Sequence, residues 1–136
     1  MKITAVKTFF ADGGQRVFVF VKVETDQPGL VGWGEASLEA KPRAVAGCVA
    51  DMEPMIVGED PRRIEYIWQI LYRGAFWRQG VIGMSAISGI DQALWDIKRK
   101  DLGNRSTSYW VARCVIKSVC ILILAAKPQI KPLRVL

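Results

Sequence analysis

Apolar residues recur at nearly every second position through the first third of the chain, then at every third or fourth position to about residue 102. Residues 2–10 place Ile3, Val6, Phe9 and Phe10 in near-alternation, and Ala11-Asp12-Gly13-Gly14 is a turn signal. Residues 16–24 alternate more cleanly, with Val17, Val19, Val21 and Val23 on one face and Phe18, Phe20 and Lys22 on the other. Asp26-Gln27-Pro28-Gly29 returns the chain, because Pro presets φ at one corner and Gly supplies positive φ at the next. Residues 30–37, which hold Gly32-Trp33-Gly34-Glu35, form a third strand. Such short connections predict an antiparallel meander.

From Pro42 the period becomes helical. Val45, Cys48, Val49 and Met52 mark one stripe that stops near Pro54 and Gly58. Asp60-Pro61 reads as the start of a second helix, an N-cap carboxylate with Pro at the first helical position. Ile64, Ile67, Trp68, Leu71 and Tyr72 then follow at i, i+3, i+4, i+7 and i+8. After a loop at 74–80, a third helix over about 84–102 buries Ile87, Ile90, Leu94 and Ile97, and Gly103 is its stop. Strands followed by helices predict an α+β domain, a three-stranded antiparallel meander packed on a helical bundle. Beyond Gly103 neither period persists.

Composition places the chain among globular, soluble proteins: 51% hydrophobic and 24% charged over 136 residues. Met1-Lys2 leads into alternation rather than an apolar leader, and no run approaches the roughly 18 to 20 apolar residues of a membrane span. The longest, residues 119–126, fits a buried strand or an aggregation-prone segment. The net charge of +6 is unevenly placed. Residues 1–103 carry 13 Lys+Arg and 13 Asp+Glu, whereas 104–136 carry the other six bases and no acid. The basicity therefore marks the tail and not a patch on the folded body, which argues against a nucleic-acid partner. Three Cys without CxxC spacing, and no His, argue against a zinc site or a disulfide framework, so the expected setting is reduced and cytoplasmic.

Four segments carry a resemblance: Met1-Lys2-Ile3-Thr4, Val31-Gly32-Trp33-Gly34-Glu35, Val57-Gly58-Glu59-Asp60-Pro61, and the fifteen residues from Met84 to Lys98, MSAISGIDQALWDIK. In this order and spacing they resemble the N-terminal capping domain of the mandelate racemase/muconate-lactonising branch of the enolase superfamily. The segment Gly74-Ala75-Phe76-Trp77-Arg78-Gln79-Gly80 is similar to that of the galactonate dehydratase subgroup. The resemblance covers residues 1–103. It implies a cap whose loops at 11–15 and 36–41 close over a (β/α)₈-type barrel and help to set specificity. It also implies that the barrel holds Mg²⁺ and the bases that remove a proton α to a carboxylate, so that no catalytic residue, metal ligand or cofactor falls within this chain. An acid sugar would be the substrate only when that missing barrel domain is present. The chain alone is expected to be inactive.

Within the cap, Glu35, Glu39, Trp77 and Arg78 are the candidate substrate-binding residues. Glu35 either faces the active site across the domain boundary or meets a cap partner such as an Arg. Glu39 lies in a loop, where substrate contacts and merely solvated side chains are both common. Arg78 suits a carboxylate or hydroxyls and Trp77 offers a flat face, although Trp77 also fits burial against the bundle. Asp91 and Asp96, five residues apart on one helix, are about 140° apart around its axis and form no catalytic pair. Asp96 with Arg99 or Lys100 reads as exposed helix pairing.

The resemblance also bears on the tail. Family members follow this helix with a segment like PLYELLGGAVRDK, whereas here Asn104 onward reads NRSTSYWVARCVIKSVCI. A back-translation of residues 104–121, read from the last base of the Asn104 codon, spells PLYELLGGAVRDKIRVY. Two bases of each shifted codon are fixed by the protein, except where Arg105, Ser106, Ser108, Arg113 or Ser118 allows a second codon family. The tail is therefore expected to be an out-of-frame translation, with one base missing around Gly103-Asn104. The other readings are a stand-alone interaction module whose basic tail binds nucleic acid or an acidic partner, and the cap of a racemase or cycloisomerase. A binding tail would interleave its bases with Gly, Ser or aromatics, and this one is rich in Val, Ile, Leu and Ala. Without a barrel the exposed apolar surface predicts self-association, and the lack of a long apolar run predicts no membrane partner.

Overall fold

A computed structural model of the chain describes residues 1–103 and the two-residue strand Lys131–Pro132. The tail expectations, including the run at 119–126, Cys114 and Cys120, lie outside the described residues. The elements are β1 (Ile3–Asp12), β2 (Val17–Thr25), β3 (Val31–Glu35), α1 (Pro42–Ile56), α2 (Ile64–Arg73), α3 (Gly80–Asp101) and β4 (Lys131–Pro132). The predicted antiparallel meander is present, in the order β3-β2-β1-β4. The fourth strand adds only the pairs Phe9↔Pro132 and Phe10↔Lys131, too short a stretch to carry a readable period.

The helices cover one face of the sheet, α1 against β1, α3 against β3 and β2, and α2 on α3 and α1. Val19, Val21 and Val23 point into that layer and are fully buried, as their alternation predicts. Val45, Val49, Met52, Ile67, Leu71, Ile87, Ile90, Leu94 and Ile97 meet them from the helices. The opposite face is not simply solvated. Phe20 and Ala11 are buried there beside Phe9, Phe18 and Trp33, with the Phe9 and Trp33 rings 5.3 Å apart.

The first helix ends at Ile56, between Pro54 and Gly58 as predicted, and buried Met52 and Ile56 hold its last turn to the core despite the N–H that Pro54 lacks. Two helix starts differ from the pattern. The second helix begins at Ile64, not at Asp60-Pro61. The Asp60 carboxylate instead accepts the Arg62 N–H at 2.9 Å and its carbonyl accepts the Arg63 N–H, which closes a turn upstream of the helix. The third begins at Gly80, a turn before Met84, through a glycine-containing stretch without helical signal. It stops where predicted: Gly103 sits at φ +61° and donates to the Lys100 carbonyl.

β3 is the free edge of the sheet, and α3 closes it. Val31, Trp33 and Glu35 turn their backbone groups away from β2. Lys100 Nζ donates to the Val31 carbonyl at 2.6 Å, Asp96 Oδ2 accepts the Trp33 N–H at 3.1 Å, and Gln92 Oε1 accepts the Glu35 N–H at 2.9 Å. Gln92, Asp96 and Lys100 are four residues apart and share one helix face, so the motif in α3 is a side-chain ladder that blunts a strand edge. Asp96 is buried, contrary to the exposed pairing expected, because the edge of β3 covers it while it binds both Arg99 and Lys100. Gly32 and Gly34 permit this approach. A Cβ on either would collide with the backbone of α3, at the carbonyls of Ala93 and Gly89 respectively.

Candidate functional site: the loop end of the domain

The strand register puts the C-terminal end of β1, the start of β2 and the C-terminal end of β3 at one end of the sheet. Both predicted loops emerge there. In the first, Gly13 N–H donates to the Arg16 carbonyl, and Gly14 N–H donates to the Asp12 carboxylate at 2.8 Å. In the second, Ala36 N–H donates to the Val19 carbonyl while Ser37 Oγ accepts the Val19 N–H at 3.0 Å, which fixes the loop root on β2. Lys41 N–H closes a turn on Leu38, and Ala40 sits at φ +59° just before α1.

The two loops touch. Arg16 and Glu39 form an ion pair at 3.8 Å, and the Arg16 guanidinium also lies 4.6 Å from the Phe18 ring centre. Both side chains are more than half exposed, so the pair contributes little stability and leaves Glu39 available to a ligand. Glu35 ends β3 half-buried, held by its backbone to Gln92, and no described Arg or Lys pairs with its carboxylate.

α3 runs antiparallel to β3, since Gly32 meets Ala93 and Gly34 meets Gly89. Its N-terminus therefore points toward the same end, and the stretch from Gly89 back to Gly80 extends it by about 13 Å. This carries the segment at 74–79 to the loop end. Trp77 is 79% exposed and Phe76 is 91% exposed, packed edge-to-face on one another, so Trp77 is not buried against the bundle. Arg78 lies 5.5 Å from the Tyr72 ring centre, and Gln79 Nε2 donates to the Leu71 carbonyl. The structure joins Glu39 to the first loop. It makes no hydrogen bond or ion pair between Glu35 or Glu39 and Trp77 or Arg78, which share only their end of the domain.

Sequence reading missed a groove of about 690 Å³ between the start of α2 and the C-terminal half of α3, at the other end of the molecule. Glu65, Tyr66, Trp68, Asp91, Trp95 and Lys98 line it. The signal for it was split between helices: Glu65 and Asp91 are neighbours only in space. Burial, and then the Glu65 charge, push the Asp91 carboxyl above its ordinary range. A carboxylate raised on folding holds its proton more tightly when folded, so this group's contribution falls as pH rises from the unfolded value toward the folded one. Asp91→Asn is therefore expected to raise the melting temperature at pH 7, with the gain shrinking as pH falls toward the unfolded value of about 4 and absent below it. A melting temperature unchanged or lowered at pH 7 contradicts this.

Among the described residues no three His, Cys, Asp or Glu side chains converge on a point that a metal ion would occupy. Cys48 is half-buried and its thiol is pushed up by burial and by Asp51, so it is a poor nucleophile. No described helix is long and apolar enough to cross a membrane.

Residues 2–106 match the profile of the mandelate racemase / muconate lactonizing enzyme, N-terminal domain. The chain belongs to this family. Among curated members, it is 48% identical over 103 residues to a D-galactonate dehydratase of Verminephrobacter eiseniae and 52% identical over 103 residues to one of Ralstonia nicotianae. Each match covers 76% of this chain and 26% of the relative. A solved enolase from Pantoea ananatis with bound D-gluconate and Mg superimposes with a TM-score of 0.70 at 44% identity, covering 74% of this chain and 24% of that one. The chain thus spans about a quarter of the length of the relatives it matches. Within the family it corresponds to the capping domain, and the barrel of the longer members is not within its 136 residues.

Proposed function

We propose that residues 1–103 cap a Mg²⁺-dependent acid-sugar dehydratase acting on galactonate or a close relative, and that the loops at 11–15 and 36–41 with the segment 74–79 line its substrate entrance. The observation that carries this reading is the gathering of these three segments at one end of a domain about 50% identical to D-galactonate dehydratases. In it, Glu39 accepts sugar hydroxyls from the loop pair and Arg78 grips the carboxylate or a hydroxyl beside the exposed Trp77 face. Glu35 stands behind them at the end of β3. The metal, held by barrel residues outside this chain, would stabilise the enediolate when bound. This chain's own part is to bind, orient and exclude water.

Residues 104–136 we read as an out-of-frame translation. Support comes from the family match that ends at residue 106, the α3 stop at Gly103, the charge imbalance and the shifted reading PLYELLGGAVRDKIRVY. The chain by itself then lacks the catalytic groups, and its exposed Phe76, Trp77 and Val81 favour self-association.

The test is an activity assay with Mg²⁺ and D-galactonate. This chain is expected to form no 2-keto-3-deoxy product, whereas residues 1–103 grafted in place of the cap of a D-galactonate dehydratase keep turnover. In that graft Arg78→Ala is expected to raise KM about ten-fold with kcat little changed. Turnover by the chain alone, or a correctly folded graft without activity, overturns the reading.

A further inference from the structure

We infer that Gln92 is a positioning residue for the loop at 36–41, acting through the Glu35 backbone. Its meaning for substrate selection rests on the function proposed above; its effect on the loop does not. Gln92 lies on α3 more than fifty residues from the loop in sequence, yet its Oε1 accepts the Glu35 N–H at 2.9 Å. Glu35 is the last strand residue before the loop begins. The Gln92 amide is itself oriented, because its Nε2 donates to Ser88 Oγ at 3.1 Å one turn earlier on the helix. An amide held at both ends fixes where β3 leaves the helix and so where Ser37 and Glu39 are presented.

The other rungs of the ladder have different tasks. Asp96 and Lys100 bind Trp33 and Val31, nearer the beginning of β3, and hold the strand as a whole. Gln92 is the rung next to the loop. Beyond it the loop root depends on the Ala36 and Ser37 contacts to Val19, and then on the exposed Arg16–Glu39 pair. Loss of the Gln92 contact should therefore loosen the loop while the β1–β2 core stays closed. Of the ladder residues, Gln92 is the one whose removal separates loop geometry from fold stability.

The experiment is amide hydrogen exchange by mass spectrometry on the full chain, which tolerates oligomers. Gln92→Met keeps the stem and removes the acceptor; Gln92→Glu keeps an acceptor that Ser88 O–H can still orient. Gln92→Met is expected to speed exchange in peptides spanning 35–41 about ten-fold, the effect of one net backbone hydrogen bond, with peptides over 19–23 unchanged. Gln92→Glu should restore most of the protection. If Gln92→Met does not fold, Ser88→Ala decides, with a smaller acceleration confined to the same peptides. Unchanged exchange at 35–41, an equal acceleration everywhere, or no rescue by Glu overturns the inference. None of these outcomes depends on which substrate the cap serves.

Discussion

Gly34→Ala is expected to destabilise this domain by about 4 kcal/mol, the largest loss of any single substitution considered. A Cβ at Gly34 would collide with the Gly89 carbonyl oxygen and stand 3.0 Å from the Ala93 nitrogen and the Gln92 Cβ. Two of these three atoms are helix backbone, so no flexible side chain can swing away. β3 must lift off α3, and with it go the Gln92 and Asp96 contacts to the Glu35 and Trp33 N–H groups. Overpacking costs about 1 to 3 kcal/mol and each lost hydrogen bond about 1 kcal/mol, a total of about 4 kcal/mol. That is a large share of the roughly 5 to 15 kcal/mol typical of a domain. Gly47→Ala is the control. Gly47 is exposed within α1 and a Cβ there meets nothing within 4 Å, so a gain of about 0.5 to 1 kcal/mol is expected. Urea midpoints measure both, and equal effects of the two substitutions contradict the close packing of β3 on α3.

Asp96→Ala is the second large loss. The Asp96 carboxylate accepts the Arg99 guanidinium at 3.1 Å, the Lys100 ammonium at 2.6 Å and the Trp33 N–H at 3.1 Å, while itself only 6% exposed. Truncation leaves two cations and a strand-edge donor without their shared acceptor. Removing one member of a buried ion pair costs about 3 to 5 kcal/mol. Arg99 and Lys100 are each about a third exposed and regain some water, which places the expectation near the lower bound, about 3 kcal/mol. Asp96→Asn keeps an acceptor for Trp33 and is expected to cost about half as much. Urea unfolding measures both, and an Asp96→Ala loss below about 0.5 kcal/mol would place Asp96 among ordinary surface residues.

These two residues mark where sequence reading succeeds and where it stops. The alternation of Val19, Val21 and Val23 and the spacing of Ile87, Ile90, Leu94 and Ile97 are local patterns, and each predicted its buried face. Burial of Phe20 on the far face was not legible, since an alternating strand reads as covered on one side only. The identity of Asp96 was legible but its role was not. Charge on a helix beside Arg99 and Lys100 reads as surface pairing until β3 is laid over it. The same limit applied at Asp60, whose capping chemistry was recognised but belongs to a turn one step before the helix. For the candidate site, the two loops were placed by resemblance, and their contact through Arg16 and Glu39 follows from strand register. The orientation of Trp77 depends on how far α3 extends toward its N-terminus, which the glycines at 80 and 83 concealed. The Glu65–Asp91 groove joins two helices and has no signature in either.

The proposed split between a folded cap at 1–103 and an out-of-frame segment at 104–136 is tested most directly by the nucleotide sequence across codons 103 and 104 and beyond. The expected result is that reading from the last base of the Asn104 codon gives PLYELLGGAVRDKIRVY and continues open into barrel-encoding sequence. DNA whose shifted frame departs from that segment, with no barrel sequence downstream in any frame, would contradict it.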